Sequence, residues 1–285
     1  MLGFEGRVAI ITGAAKGLGR GYANHFAAAG ARVVIADIQG AERAAEEIIA
    51  NGGEAVAAPG SIADERNAEA TVETALATFG RLDILINNAG NSVGGLIHTI
   101  TTEEFESVLR VHVYGAFWTM RTALIAMRQA GYGRIVNTTS SLGAFGLAAS
   151  GPYVAAKAAL IGLTKAAALE NLDQDIRINA IAPVAATSMS AKFFDANPAV
   201  VAEGFRVEDV VPAVAYLSHA TCSVTGQVLS AGAGRIGSFA HGASVGIFEP
   251  GIADSEIAAR LEAILATSEL IFPGSALGEL DLLTR

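Results

Sequence analysis

Tyr153 and Lys157 stand four residues apart in Tyr153-Val154-Ala155-Ala156-Lys157, a spacing that puts both side chains on one face of a helix. A phenol ordinarily titrates at about 10, too high for a base at neutral pH. An ammonium one turn away favours the phenolate, so the pair can exchange a proton with a bound hydroxyl near neutrality. Ser140 follows the apolar run Arg134–Thr139, and its hydroxyl can hold a substrate oxygen beside the tyrosine. Taken alone, the pair reads equally as a surface Tyr and Lys on an ordinary helix.

The elements that must position these residues alternate in type. Arg7–Thr12 is a short apolar run, read as a buried strand, and Gly13-Ala14-Ala15-Lys16-Gly17-Leu18-Gly19 follows at once. Leu18, Tyr22 and Phe26 then recur at helical spacing up to Gly30. A strand, a glycine-rich turn and a helix make a diphosphate cradle: glycines admit close backbone approach, and the helix N-terminus offers unpaired N–H groups. Arg32–Ala36 reads as a second strand ending at Asp37. A carboxylate there accepts both ribose hydroxyls of an adenosine and repels a 2′-phosphate, so NAD is expected over NADP. Lys16 argues weakly the other way, and Ile38 and Gln39 add no second cation.

Further strands are expected over Glu54–Ala58, Leu82–Ile86, Arg134–Thr139, Ile176–Ile181 and Gly226–Ser230. Helices are expected over Gly40–Ala50, Asp64–Phe79 (capped by Asp64), Thr101–Ala130, from Pro152 onward, and Glu208–His219. Alternation of this kind means a doubly wound α/β fold, a single Rossmann-type parallel sheet of about seven strands in the order 3-2-1-4-5-6-7. Asn87-Asn88-Ala89-Gly90 then lies at the carboxyl end of the fourth strand, where such sheets bind ligands. His112 sits within the long helix and reads as structural or catalytic. The irregular stretch Val184–Val207, with Phe193, Phe194, Pro198 and Phe205, is expected to cover a substrate pocket. Gly234 is expected to close the core fold, giving residues 1–234 as the nucleotide-binding and catalytic domain. Residues 235–285 form an extension with one helix capped by Asp254.

Composition narrows the function classes. Charged residues are 16% and hydrophobic ones 52%, with a net charge of −9, so the chain is globular and has no basic stripe for nucleic acid. No apolar run reaches membrane-spanning length, and the N-terminus enters a strand with no room for a signal peptide. The one cysteine, Cys222, permits no internal disulfide and reads as a buried thiol in a cytoplasmic setting. The smooth Ala-rich face from Ala155 to Ala168 suits close helix packing, hence a homodimer or homotetramer. No metal site is expected.

In register, Thr12-Gly13-xxx-Gly17-x-Gly19, Asn87-Asn88-Ala89-Gly90, Ser140 and Tyr153-xxx-Lys157 resemble the short-chain dehydrogenase/reductases over roughly positions 6–234. Ser140 stands thirteen residues before Tyr153, the family's usual spacing. The resemblance implies a hydride-transfer enzyme in which Tyr153 is the acid/base, Lys157 binds the nicotinamide ribose and lowers the tyrosine pKa, and Ser140 holds the substrate oxygen. It places the cofactor against Gly13, Lys16, Gly17, Leu18, Gly19, Asp37, Ile38, Ser61, Ile62, Asn88, Ala89, Gly90, Tyr153, Lys157, Pro183, Ala186 and Thr187. Asp83 resembles an acid that steadies the adenine pocket. His112 occupies the position where many members carry an Asn in a proton relay, Ser61 replaces an Asp, and Pro183-Val184 replaces Pro-Gly. His112, Pro183-Val184-Ala185 and the extension together resemble the branch containing the 3-hydroxyacyl-CoA dehydrogenase modules of peroxisomal multifunctional enzymes. The substrate implied is a hydrophobic or cyclic secondary alcohol or its ketone, with hydroxyacyl-CoA or a hydroxysteroid as alternatives. Lys192 and Arg206 are the cations that a CoA ester would need. A non-catalytic nucleotide sensor on the same fold is the other class, with little use for Ser140, Tyr153 and Lys157 together.

Overall fold

The computed structural model describes residues 2–196 and 204–275. The chain divides into two compact units, Met1–Ser238 and Phe239–Arg285. The first begins with β1 (Val8–Thr12), α1 (Gly17–Ala28), β2 (Arg32–Asp37), α2 (Ala41–Ala50), β3 (Glu54–Pro59), α3 (Glu65–Phe79) and β4 (Ile84–Asn87). It continues through α4 (Thr102–Leu109), a π-helical segment (Arg110–Tyr114), α5 (Gly115–Ala130), β5 (Tyr132–Thr138), α6 (Ser141–Phe145), α7 (Gly151–Leu169) and β6 (Asp175–Pro183). After α8 (Ala191–Ala196) come a 3₁₀ turn (Val207–Asp209), α9 (Val211–Ser218), β7 (Val228–Gly232) and β8 (Arg235–Phe239).

The sheet order is β3-β2-β1-β4-β5-β6-β7-β8, and β1 to β7 pair in parallel. Strands covered on both faces read as continuous apolar runs; β1, Val8–Thr12, is buried at every position. One core lies on the α1/α2/α9 side, with Phe4, Tyr22, Phe26 and Ile35. The other lies on the α3/α5/α7 side, with Ile10, Leu85, Met127 and Ile135.

The count of seven strands is corrected to eight. Ala233 and Gly234 both adopt positive φ, 49° and 75°, the conformation of a two-residue hairpin turn. Gly234 therefore does not end the sheet but returns the chain to its edge as β8. The long helix expected from Thr101 to Ala130 is also not uniform. Thr101 caps it through the Glu104 N–H while the Glu104 carboxylate accepts the Thr101 N–H, but one wider π turn spans Arg110–Tyr114. Glu208–His219 likewise divides into the 3₁₀ turn and α9. Pro183 ends β6, and the stretch after it is not wholly irregular, since α8 lies within it. Pro198 and the side chains of Lys192 and Phe193 lie outside the described residues.

The second unit contains the two-stranded pair β9 (Ala243–Ser244) and β10 (Leu270–Ile271) and α10 (Asp254–Ile264). Ala253, not Asp254, holds the cap position of α10. The Glu256 carboxylate accepts the Ala253 N–H, and Asp254 Oδ1 accepts only from Ser255. Among the described residues no helix is long and apolar enough to cross a membrane.

Candidate active site

The carboxyl ends of β1, β2, β4, β5 and β6 converge on one edge of the parallel sheet, as strand direction requires. At the end of β1 the Thr12 hydroxyl accepts the N–H groups of Asn88 and Ala89, both at 3.0 Å. Asn88 Nδ2 returns bonds to the carbonyls of Thr12 and Gly13. The two loops are thereby locked together, and glycine is required for the fit. A Cβ on Gly19 would lie 2.2 Å from the Gly13 carbonyl oxygen, and one on Gly13 would lie 2.8 Å from Ala89 Cα. Gly17 has φ +56°, where a side chain is strained. The Asp37 carboxylate turns back and accepts the Ala15 N–H at 2.9 Å, with the Gln39 N–H at 3.4 Å from its other oxygen. Lys16 is exposed. Arg20 and Arg43, on α1 and α2, are already paired with Glu47. A cradle of backbone donors at the start of α1, with a carboxylate beside it, fits the diphosphate and ribose of a dinucleotide.

Around this cradle, Ile62 is buried against Trp118 and Ala89, with Ser61 half-buried beside it and Ile38 exposed. Thr187 lies across the glycine loop: a Cβ on Gly17 would meet its methyl at 3.5 Å. Its N–H donates to Ser190 Oγ at 2.8 Å, and Ser190 Oγ donates to the Ala185 carbonyl. Ala186 N–H donates to Phe205 O at 2.7 Å, which ties off the base of the segment after β6. Thr187 is therefore turned toward the cradle.

Ser140, Tyr153 and Lys157 come together beside these loops. β5 delivers Ser140, whose Oγ accepts the Leu142 N–H and caps α6. The Ser140 hydroxyl stands beside the Tyr153 phenol, near enough to favour its phenolate. Their approach depends on Gly143, because a Cβ there would lie 2.7 Å from the Lys157 backbone. Lys157 is 2% exposed, and its Nζ donates to the Thr138 carbonyl at 2.6 Å.

The expectation that Lys157 lowers the tyrosine pKa is corrected. Burial raises the Tyr153 phenol above its ordinary value, only partly offset by the neighbouring Ser140 hydroxyl. Burial also depresses the Lys157 ammonium to about 7. The cause is desolvation of both charged forms, which a spacing argument does not contain.

His112 is brought to the same place. Its ring meets Tyr153 edge-on at 5.4 Å between centroids. Nε2 lies 2.8 Å from Asn91 O and 3.1 Å from Asn91 N, so either neutral tautomer finds a partner there. Nδ1 is buried and has none. Burial, then the neighbouring Lys157 charge, lowers the His112 pKa to about 3. Gly90 leaves the space the ring occupies.

Asp83 is not in an adenine pocket. It precedes β4 at the opposite end of the sheet, where its carboxylate accepts from Arg7, Arg81 and the Val8 N–H. Arg206 pairs with Asp209. Cys222 is buried and donates to the Val224 carbonyl.

A nucleotide cradle next to a Ser–Tyr–Lys cluster on a doubly wound sheet defines a class of dinucleotide-dependent oxidoreductase. The model of the short chain dehydrogenases matches residues 7–198, and the chain belongs to that family. It is 38% identical over 247 residues to a putative short-chain type dehydrogenase/reductase of Mycobacterium tuberculosis, covering 83% of this chain and 85% of that one. It is 38% identical to a cyclohexanol dehydrogenase of an Acinetobacter species, covering 79% and 92%. The structure of full-length peroxisomal multifunctional enzyme type 2 from Drosophila melanogaster superposes with a TM-score of 0.82 at 28% identity. That match covers 99% of this chain but only 50% of the fly enzyme, so this chain spans half its length.

Proposed function

We propose that this protein interconverts a secondary alcohol and its ketone with NAD, with Tyr153 as the acid/base. The observation that carries this reading is the Tyr153 phenol set beside Ser140 and a buried Lys157, at the sheet edge that also holds the Gly13–Gly19 loop and Asp37. In the reduction direction the Tyr153 phenol, protonated at neutral pH as a phenol ordinarily is, donates its proton to the carbonyl oxygen. In oxidation the phenolate takes the proton of the carbinol hydroxyl. Ser140 donates a hydrogen bond to the substrate oxygen and fixes its distance from the phenol. When bound, the nicotinamide supplies or accepts the hydride. Lys157, held by Thr138 O, contacts the ribose, and the remaining N–H donors of its ammonium are free to do so. His112 supports the Tyr153 ring as a neutral side chain. Gly13, Gly17, Leu18, Gly19, Asp37, Ile62, Asn88, Ala89, Gly90 and Thr187 would hold the cofactor.

The substrate is hydrophobic or cyclic. Leu96, Ile97, Phe145 (the last residue of α6) and Leu147 are exposed apolar side chains on the two connections that leave β4 and β5. Those loops are joined by the Gly95–Ser150 bridge and by the Gly95 N–H donating to Ala149 O. Likeness to a cyclohexanol dehydrogenase supports this reading. Likeness to the peroxisomal enzyme supports a hydroxyacyl-CoA or hydroxysteroid substrate, although Arg206 is already engaged by Asp209. Catalysis belongs to residues 1–234, in a cytoplasmic homodimer or homotetramer.

Tyr153→Phe tests the mechanism. NADH binding should stay within twofold of wild type, while turnover over a panel of cyclic alcohols, steroids and hydroxyacyl esters falls by two to four orders of magnitude, roughly the worth of a positioned acid/base. Wild-type turnover in the variant would reject the assignment.

A further inference from the structure

Beneath the site, between the sheet and the helices α5 and α7, four buried polar side chains form a chain that no catalytic step uses. The Thr119 hydroxyl lies 2.7 Å from Asn87 Oδ1 and 2.8 Å from the Gly115 carbonyl. Asn87 Nδ2 donates to Asn137 Oδ1 at 3.0 Å. Asn137 Nδ2 donates to Thr164 Oγ1 at 3.0 Å, and Thr164 Oγ1 donates to the Leu160 carbonyl at 2.7 Å. Thr119, Asn137 and Thr164 are wholly buried, and Asn87 nearly so. Polar groups at such positions cost stability unless paired, and an apolar side chain in each place would serve a core equally well. Their placement is specific. Thr119 sits on α5, directly after the π turn that carries His112. Thr164 sits on α7, seven residues beyond Lys157 and on the same face. Asn87 precedes Asn88, and Asn137 precedes Thr138, whose carbonyl holds Lys157 Nζ.

We infer that the Thr119–Asn87–Asn137–Thr164 chain is a positioning device that fixes the depth of α5 against α7, and with it the placement of the Tyr153 and Lys157 side chains against His112. It acts through those residues and touches neither substrate nor cofactor. The inference rests on the reading of Tyr153 as the acid/base. Hydrogen-bond geometry selects one register between the two helices, whereas apolar packing tolerates small slides.

Thr164→Val removes the hydroxyl at nearly constant shape, and Thr164→Ser restores it. Asn137→Leu removes the centre of the chain. Well below each variant's melting temperature, Thr164→Val and Asn137→Leu should lower kcat at least tenfold, with KM for NADH within twofold. The apparent pKa of the rate should shift by at least half a unit, and Thr164→Ser should recover wild-type values. A role in stability alone would lower the melting temperature and leave kcat and the pH profile unmoved, and that result overturns the inference. A second readout does not depend on turnover. The Tyr153 phenol titration, taken as the ultraviolet difference between each background and its Tyr153→Phe partner, should shift in Thr164→Val and not in Thr164→Ser. If wild type turns over no substrate in the panel, the functional reading fails, and this titration still decides the positioning role. Identical titrations in all backgrounds overturn it.

Discussion

Replacing Gly90 with Ala would put a methyl carbon 2.4 Å from His112 Cε1 and 3.0 Å from Nε2. The ring has little room to retreat, since Tyr153 meets it edge-on and Asn91 holds Nε2. Two effects oppose each other. A Gly→Ala change restricts the unfolded chain and stabilises by about 0.4–1 kcal/mol wherever the native backbone tolerates it. Gly90 has no positive φ, so that gain applies. Overpacking a filled core costs about 1–3 kcal/mol, and displacing the ring from Asn91 forfeits a buried hydrogen bond of about 1 kcal/mol. The clash wins, for a net loss of about 1–3 kcal/mol. Urea denaturation of wild type, Gly90→Ala, His112→Asn and the double variant would measure it. The smaller Asn relieves the contact, so the cycle should show a coupling of about 1–2 kcal/mol. A stable Gly90→Ala variant, or strictly additive losses, would refute the claim that Gly90 exists to admit the His112 ring.

Three further outcomes follow from the buried groups. His112 binds a proton in the unfolded chain below about 6.5 but in the folded protein only near 3. The stability its neutrality confers is thus complete above pH 6.5 and lost as pH falls toward 3, by about 1.4 kcal/mol per unit. Between pH 6.5 and 4.5, wild type should lose about 2–3 kcal/mol more than His112→Asn in matched urea titrations. Lys157 titrates near 7 when folded and near 10.4 when unfolded, so keeping it buried costs stability that grows as pH falls from about 10 to 7. Lys157→Met should abolish turnover yet raise stability at pH 7 by roughly 2–5 kcal/mol, read by thermal and urea melts. Arg134, 1% exposed, donates to the carbonyls of Gly133, Asp175, His219 and Ala220 and to the Asp175 carboxylate. Arg134→Met should cost about 3–5 kcal/mol with kcat preserved in the folded fraction, because the site lies at the other end of β5.

Local chemistry made much of this protein legible before any coordinates. The apolar runs Val8–Ile11 of β1 and Val33–Ala36 of β2 announce a sheet covered on both faces, because nothing polar interrupts them. The glycines at positions 13, 17 and 19 announce a phosphate cradle through the helix that follows them, and Tyr153 and Lys157 share a face through the helical repeat. Each inference spans only a few residues, where spacing fixes geometry. What spacing could not supply was burial and long-range contact. That Lys157 loses its charge near neutrality, and that the Tyr153 phenol is raised instead of lowered, depends on water excluded by elements far along the chain. Asp83 resembled an acid steadying the adenine pocket until the sheet placed it at the opposite end. Gly90 and Gly143 resemble any other glycines until His112 and Lys157 stand against them. Asn87 and Asn137, fifty residues apart, meet only because β4 and β5 lie side by side. The residue types capable of chemistry were written in the linear order; their protonation, their depth and their partners were set by packing, since desolvation and steric fit exist only once the chain has closed on itself.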